Sequence, residues 1–136
     1  MSPTPDDLVD GARRHIERVR PEDLAAVAAG GGLVVDIRPA AQRAAEGGLP
    51  GAVVVERNVL EWRLDPEGDH RLPQVTGFDQ QVVMVCSEGY ASSLAAASLH
   101  ELGFHRAADL EGGYRAWQAW DADSPSTAAP TARSGT

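Results

Sequence analysis

Short apolar runs alternate with helix-like segments along most of the chain. Residues 33–37 and 82–85 form almost continuously apolar runs, which are typical of strands covered on both faces, as in parallel sheets. Three shorter runs, at 17–19, 52–55 and 106–110, are predicted to be further strands. Because helical segments separate the strands, the pattern indicates an α/β domain with a central, mainly parallel β-sheet flanked by helices on both faces.

Proline and glycine mark most of the predicted helix boundaries. Thr4 and Pro5 are typical of an N-cap and a first helical turn, and they predict a helix that ends near Arg14. A helix over 92–102 is expected to stop at Gly103. Further helices are predicted at 21–29, from residue 39, at 58–64 and after residue 112. The side chains expected to pack in the core or between helices are Leu94, Leu99, Leu102, Trp62, Trp117 and Trp120.

The segments differ enough in composition to suggest three parts. Residues 1–16 are interpreted as an N-terminal helical extension, and residues 17–121 contain the alternating strands and helices of one domain. Residues 122–136 consist mostly of Asp, Ser, Pro, Thr, Ala and Gly, which bury too little apolar surface to offset the entropy of ordering. We therefore expect a disordered C-terminal tail.

Charge and composition narrow the choice of partner and compartment. The 136 residues are 43% hydrophobic, and 20 acidic against 12 basic residues give a net charge of -8. This charge argues against a nucleic acid or an anionic membrane as the main partner. No run is long enough to span a bilayer, and residues 1–7 are polar and acidic, unlike a signal peptide. The sequence thus predicts a cytoplasmic protein, and its use of arginine without lysine suggests a bacterial source.

Metal sites are not indicated by the cysteine and histidine positions. One cysteine cannot form an internal disulfide, and the four histidines have no ligand spacing. The acidic segment 65–69 lacks the spacing of a helix-flanked calcium loop, so we interpret it as a solvated turn.

Cys86 stands between the apolar run 82–85 and a short polar loop that leads into a helix. Backbone N–H groups of that loop and the positive end of the helix dipole would surround the sulfur, and both favour thiolate over thiol. Gly89 permits a positive φ in the loop, and Ser92 is expected to cap the helix. A small buried hydrophobe is the alternative role for such a cysteine. Cys86 and Asp36 both lie at the carboxyl ends of predicted parallel strands, where α/β proteins place their sites.

Four short motifs occur in a characteristic order along the chain. They are Asp36-Ile37-Arg38, Gly47-Gly48-Leu49-Pro50-Gly51-Ala52, Cys86-Ser87-Glu88-Gly89-Tyr90-Ala91-Ser92 and Leu110-Glu111-Gly112-Gly113-Tyr114-Arg115-Ala116-Trp117. Over residues 17–120 the chain thereby resembles the single-domain rhodanese-like family of sulfurtransferases. The resemblance implies a parallel sheet flanked by helices, and transfer of a sulfane sulfur to a thiophilic acceptor through a persulfide on Cys86. It implies a small sulfur donor, a thiol or cyanide as acceptor, a protein persulfide as an alternative partner, and neither metal nor organic cofactor.

The loop after Cys86 is the candidate anion-binding element of such a site. Its backbone N–H groups would stabilise both the thiolate and the persulfide. The loop residues are Ser87, Glu88, Gly89, Tyr90, Ala91 and Ser92. Arg38 and Arg57 follow two other strands and could reach the same rim, where they would bind an anionic donor, with purely structural roles as the alternative. Asp36 is expected to orient an arginine or a loop N–H rather than to act as a base.

Two features depart from the family pattern. Gly48 stands where rhodaneses commonly have histidine, and the loop has Ser87, Glu88 and Tyr90 where thiosulfate-preferring members usually have basic residues. A carboxylate within about 5 Å of a dianionic donor would repel it by a few kcal/mol at an effective dielectric near 20. Glu88 therefore disfavours thiosulfate as the physiological donor and favours a thiol or protein persulfide, unless it points outward and pairs with an arginine.

Two other functions are compatible with the same motifs. Phosphatases and arsenate reductases of related fold use a Cys-x5-Arg loop, but Ser92 occupies the position that would need arginine. The second alternative is a non-catalytic binding or regulatory module that keeps the cysteine as a persulfide carrier or sensor. Glu88 keeps that alternative open.

Overall fold

A five-stranded sheet forms the centre of the computed structural model, which describes residues 1–123 of the chain. All four neighbouring strand pairs in it are parallel. The strands are β1 (Glu17–Val19), β2 (Leu33–Asp36), β3 (Val53–Val54), β4 (Val82–Val85) and β5 (Ala107–Leu110), arranged in the order β1-β5-β4-β2-β3. The helices are α1 (Pro5–Arg13), α2 (Leu24–Ala29), α3 (Ala40–Glu46), α4 (Leu60–Leu64), α5 (Ala91–Leu102) and α6 (Gly113–Asp123). The predicted α/β fold class is confirmed, and every predicted strand lies within one residue of its expected bounds.

Helices cover both faces of the sheet, which explains why β4 is apolar throughout. Val82 and Met84 point into a core formed with α4 and α5. Val83 and Val85 point the other way, into a core formed with α2 and α6. All four β4 side chains are fully buried because successive residues of a strand face opposite sides. The central strand therefore delivers Cys86 to the carboxyl edge of the sheet from a rigid base.

Three side chains predicted to be buried are exposed. They are Trp62, Leu94 and Leu102. The buried side of α5 contains Leu99 and the small Ala95 and Ala96, which let the helix lie close to the sheet. Leu94 and Leu102 therefore lie on the outer sides of the helix. Trp62 is 61% exposed because the five-residue α4 buries Leu60 and Leu64, which lie one turn apart on its other side.

The first helix is capped as the sequence predicts and packs on the domain. Thr4 Oγ1 accepts the N–H of Asp7 at 3.1 Å, and Asp7 Oδ2 accepts the N–H of Thr4 at 2.9 Å, which is a capping box. Val9 and Ala12 are buried where α1 lies against α5. The helix ends at Arg13, one residue earlier than expected.

Residues 122 and 123 complete α6, so the tail predicted over 122–136 lies otherwise outside the described residues. The acidic segment 65–69 is a turn in which Asp65 Oδ1 accepts the N–H of Glu67 at 2.9 Å. No grouping of three potential metal ligands occurs within residues 1–123. Over the same range, no helix is both long and apolar enough to cross a membrane.

Candidate active site

Cys86 follows β4 directly, and its sulfur receives two backbone hydrogen bonds. The N–H of Gly89 donates to Sγ at 3.1 Å, and the N–H of Ser92 donates at 3.3 Å. The thiol is only 9% exposed and opens into a small pocket of about 210 Å³. The other residues that line the pocket are Gln42, Ser87, Glu88, Tyr90 and Ala91. Backbone donors at the base of this pocket would thus stabilise a negative charge on the sulfur.

The loop around Cys86 has the predicted positive φ at Gly89, and its shape depends on the start of α6. Gly89 has φ +90°, and a Cβ there would lie 2.8 Å from the backbone N of Gly112. The first turn of α6 donates to the loop carbonyls: Tyr114 N to Cys86 O at 2.8 Å and Arg115 N to Ser87 O at 3.1 Å. Gly112 and Gly113, at the start of α6, are therefore required by the packing of the cysteine loop as well as by the turn.

Ser92 does not cap α5, contrary to expectation. The helix begins at Ala91, which places Ser92 inside its first turn, and the Ser92 hydroxyl donates to Asp109 Oδ2 at 2.9 Å. The neighbouring Ser93 hydroxyl donates to the same oxygen at 2.7 Å, and Arg18 Nε donates to Asp109 Oδ1 at 2.9 Å. Asp109 is fully buried in β5. Our sequence reasoning missed it, although a carboxylate within a buried apolar strand was a usable signal of a polar network.

Arg38 lies beneath the site rather than at its rim. It is 1% exposed, donates to Asp36 Oδ2 at 2.7 Å and to Glu46 Oε1 at 3.1 Å, and lies over the ring of Tyr114 at 4.1 Å. The hydrogen bond to Asp36 raises the pKa of Arg38 even though burial opposes its charge. Of the two roles considered for Arg38, its enclosed and paired charge favours the structural role over that of a ligand for an anionic donor. Asp36 accepts hydrogen bonds from both Nε and Nη2 of Arg38.

Arg57 is also absent from the Cys86 pocket. Its guanidinium pairs with Glu61 at 3.0 Å, one turn along the chain. The residue lines a separate cavity of about 310 Å³ with Glu56 and Asn58. The structure thus does not bring Arg57 to the rim where we expected it.

Glu46, at the end of α3, joins the buried arginine to the rim. Its carboxylate accepts from the Ser87 hydroxyl at 2.9 Å, from Arg38 and, through Oε2, from Arg115 Nη2 at 3.3 Å. Burial opposes ionisation of Glu46, but these hydrogen bonds outweigh it and hold the pKa of Glu46 below its ordinary value. We did not predict Glu46 as a site residue, because an alanine-rich helical segment gives no indication of which distant side chains its glutamate contacts.

Glu88 is turned toward Arg115 at the rim of the pocket. Its Oε2 accepts from Arg115 Nη1 at 2.9 Å, and both side chains are 59% exposed. Glu88 is thus paired with an arginine, as in the alternative that we considered, but it still lines the Cys86 pocket. Arg115 lies between Glu46 and Glu88, so two carboxylates surround its guanidinium at this rim.

Comparison with known proteins adds independent findings. The model of the rhodanese-like domain family matches residues 20–119. The thiosulfate sulfurtransferase GlpE of Pseudoalteromonas translucida is 32% identical over 89 residues, which cover 64% of this chain and 73% of that protein. A rhodanese homologue from the extremely thermophilic bacterium Thermus thermophilus is 35% identical, with a TM-score of 0.53, over 74% of this chain and 99% of that one.

A further solved structure is described differently. It is a protein of unknown function from Rhodopseudomonas palustris, described as a possible tyrosine phosphatase. It is 29% identical and has a TM-score of 0.77, over 88% of this chain and 92% of that chain. The two proteins thus carry different descriptions, a thiosulfate sulfurtransferase and a possible tyrosine phosphatase.

Proposed function

Because the chain belongs to the rhodanese-like domain family, we propose that it is a sulfurtransferase in which Cys86 carries the transferred sulfur as a persulfide. The observation that supports this most directly is the pair of backbone N–H donors, from Gly89 and Ser92, on Cys86 Sγ. Such donors stabilise a thiolate nucleophile before the reaction and an anionic leaving thiolate after it. They need no metal and no organic cofactor.

The proposed cycle has two balanced steps. The Cys86 thiolate attacks the outer sulfur of a persulfide donor, R–S–SH, so that the donor S–S bond breaks, R–S⁻ leaves and Cys86–S–SH forms. An acceptor thiolate or cyanide then attacks that outer sulfur, its bond to Cys86 breaks, and the Cys86 thiolate returns. With cyanide the product is thiocyanate, and the proton of the persulfide is released to solvent. The sulfur moves without net oxidation.

The charges at the rim favour a persulfide over thiosulfate as donor. Glu88 lines the pocket, Arg38 is buried and paired, and Arg115 is shared between Glu88 and Glu46. A dianion would meet a carboxylate at the entrance without an uncommitted guanidinium among the pocket-lining residues. The relative from Pseudoalteromonas translucida is named for thiosulfate. For this chain we propose a low-molecular-weight thiol persulfide or a protein persulfide instead.

Phosphatase chemistry fits the site less well. The position that a Cys-x5-Arg loop uses to clamp phosphate is Ser92, whose hydroxyl points to the buried carboxylate of Asp109. A phosphate dianion in the Cys86 pocket would therefore lack the arginine whose guanidinium binds it through two hydrogen bonds.

Intact-mass analysis tests the proposal. The protein is incubated separately with thiosulfate, 3-mercaptopyruvate and a cysteine persulfide, and Cys86→Ser serves as the control. We expect the persulfide to add one sulfur atom to the wild type but none to the variant, and cyanide to remove it as thiocyanate. If none of the three donors adds sulfur, the sulfurtransferase assignment is wrong. Loading without turnover to any acceptor would identify a persulfide carrier or sensor instead of an enzyme.

A further inference from the structure

The first helix reaches the cysteine loop through one side chain. Arg13, the last residue of α1, donates from Nη2 to the carbonyl oxygen of Gly89 at 2.8 Å and from Nε to the hydroxyl of Ser93 at 3.0 Å. Its guanidinium also lies 5.6 Å from the ring centre of Tyr90. The helix therefore contacts the segment that carries both N–H donors to Cys86 Sγ, those of Gly89 and Ser92.

A second arginine, from β1, meets the same carbonyl. Arg18 Nη2 lies 3.4 Å from Gly89 O, while its Nε donates to Asp109 at 2.9 Å. Gly89 O thus accepts from two guanidinium groups. Both arginines precede residues 20–119, the span that the family model matches.

The two arginines differ in the carboxylates that lie near their guanidinium groups. Arg18 is paired with the buried Asp109 and lies 4.0 Å from Glu111. Arg13 has no carboxylate partner within the described part of the chain, and its contacts are a carbonyl, a hydroxyl and an aromatic face. Its positive charge is therefore left beside the loop, where it attracts any anion formed on Cys86.

The anchored carbonyl belongs to Gly89, one of the two residues whose N–H groups donate to Cys86 Sγ. Gly89 has the widest backbone freedom of any residue in the loop, so its peptide groups need an external restraint to hold one orientation. Fixing Gly89 O toward the arginines restricts rotation about the backbone of Gly89 and so restrains the residue that supplies one donor. The N–H of Gly89 itself donates to Sγ. Arg13 can thus act on the sulfur through both orientation and charge.

We propose that Arg13 is a positioning residue of the Cys86 loop, and that α1 is thereby part of the active site rather than an appended helix. The inference rests on the proposed function of Cys86 as the sulfur carrier. It deepens that function by naming a residue, remote in sequence and outside the pocket, that sets the reactivity of the thiol.

The test compares three variants by their rate of alkylation with iodoacetamide at about pH 6. Iodoacetamide is uncharged, so its rate reports the reactivity of the sulfur rather than attraction of the reagent. We expect Arg13→Gln to react about 3-fold more slowly than the wild type, because the sulfur loses both a nearby positive charge and an anchor of its loop. Arg13→Lys keeps the charge but not the fork of donors, and its rate should lie between the two.

Arg14→Gln is the matched control. It makes the same change of charge one residue along the chain, on an exposed side chain without a contact to the loop, and should react at the wild-type rate. Equal rates for Arg13→Gln and Arg14→Gln would overturn the inference. Circular dichroism checks the fold; should Arg13→Gln fail to fold, a wild-type rate in Arg13→Lys would overturn it instead. Alkylation needs no sulfur donor, so failure of the donors to load Cys86 would count only against the proposed function.

Discussion

Glu88 and Arg115 form an ion pair at the mouth of the Cys86 pocket, with Glu88 Oε2 2.9 Å from Arg115 Nη1. The pair joins the cysteine loop to the first turn of α6, and Glu46 binds the other side of the same guanidinium. Of the two carboxylates on this guanidinium, Glu88 is the one that lines the pocket. Removing it would lower the repulsion of a dianion and leave Arg115 paired with Glu46 alone.

Glu88→Gln should therefore increase the use of thiosulfate. We expect kcat/KM for thiosulfate to rise about 10-fold, mostly through a lower KM, because one repulsive charge is lost at the rim. Activity with a neutral persulfide donor should change little. Glu101→Gln, an equal change of charge in the groove between α1 and α5, is the control and should leave both activities unaltered. A thiosulfate activity that stays at the wild-type level in Glu88→Gln would show that the carboxylate does not set donor choice.

Arg38→Met should destabilise the fold strongly. The substitution leaves Asp36 and Glu46 without the buried guanidinium that binds them both, and an uncompensated buried charge costs about 3–5 kcal/mol. Urea unfolding measures this loss. Arg20→Met breaks an exposed pair with Glu22 and should cost no more than about 1 kcal/mol. Similar losses in the two variants would contradict the structural role assigned to Arg38.

The contribution of Glu46 to stability should vanish in acid. Its pKa is lowered from the ordinary 4.5 in the folded protein, so the ionised form is bound more favourably there than in the unfolded chain. The resulting stability is fully present above pH 4.5 and is lost as the pH falls through the lower, folded-state pKa. Compared with Glu46→Gln, the wild type should thus lose its advantage in the free energy of unfolding below that pH. An advantage that persists unchanged to about pH 3 would contradict the hydrogen-bonded carboxylate.

Gly113→Ala should slow sulfur loading of Cys86 by displacing the cysteine loop, in addition to the backbone strain of a positive φ. Gly113 has φ +68°, and an added Cβ would lie 2.6 Å from Cys86 O and 2.7 Å from the N of Glu88, so the loop must shift. A misplacement approaching 1 Å would slow sulfur loading by about 10- to 100-fold.

Gly51→Ala separates the two effects of that substitution. Gly51 also has a positive φ, +81°, but a Cβ there would meet nothing within 4 Å. The Gly51→Ala variant should lose about 1 kcal/mol of stability because alanine disfavours the left-handed conformation. Its rate of sulfur loading should equal that of the wild type. Equal loading rates for the two alanine variants would mean that the glycine pair does not shape the cysteine loop.

The strands and the cysteine loop were predictable because their causes are local. Burial on both faces makes β4 apolar throughout, and its bounds agree with the prediction. The strand, the glycine at positive φ and the following helix are adjacent in sequence, so the backbone N–H groups near Cys86 could be anticipated from the loop alone. Side chains on helices were harder to place. Leu94 and Leu102 were assigned to the core, and that prediction was wrong because alanines, not leucines, decide how closely α5 approaches the sheet.

The sequence by itself determined the α/β fold, the order of its elements and the position of Cys86 at a strand end, since each depends on the periodicity and chemistry of neighbouring residues. Only the tertiary structure decided which charges meet. Arg18 reaches Asp109 because β1 pairs with β5 in a register that sets the two residues side by side, 91 positions apart in the chain. Arg13 reaches Gly89 because α1 packs on α5. An ion pair or an anchored carbonyl depends on distances of a few ångströms between elements remote in sequence, and no local pattern encodes those distances.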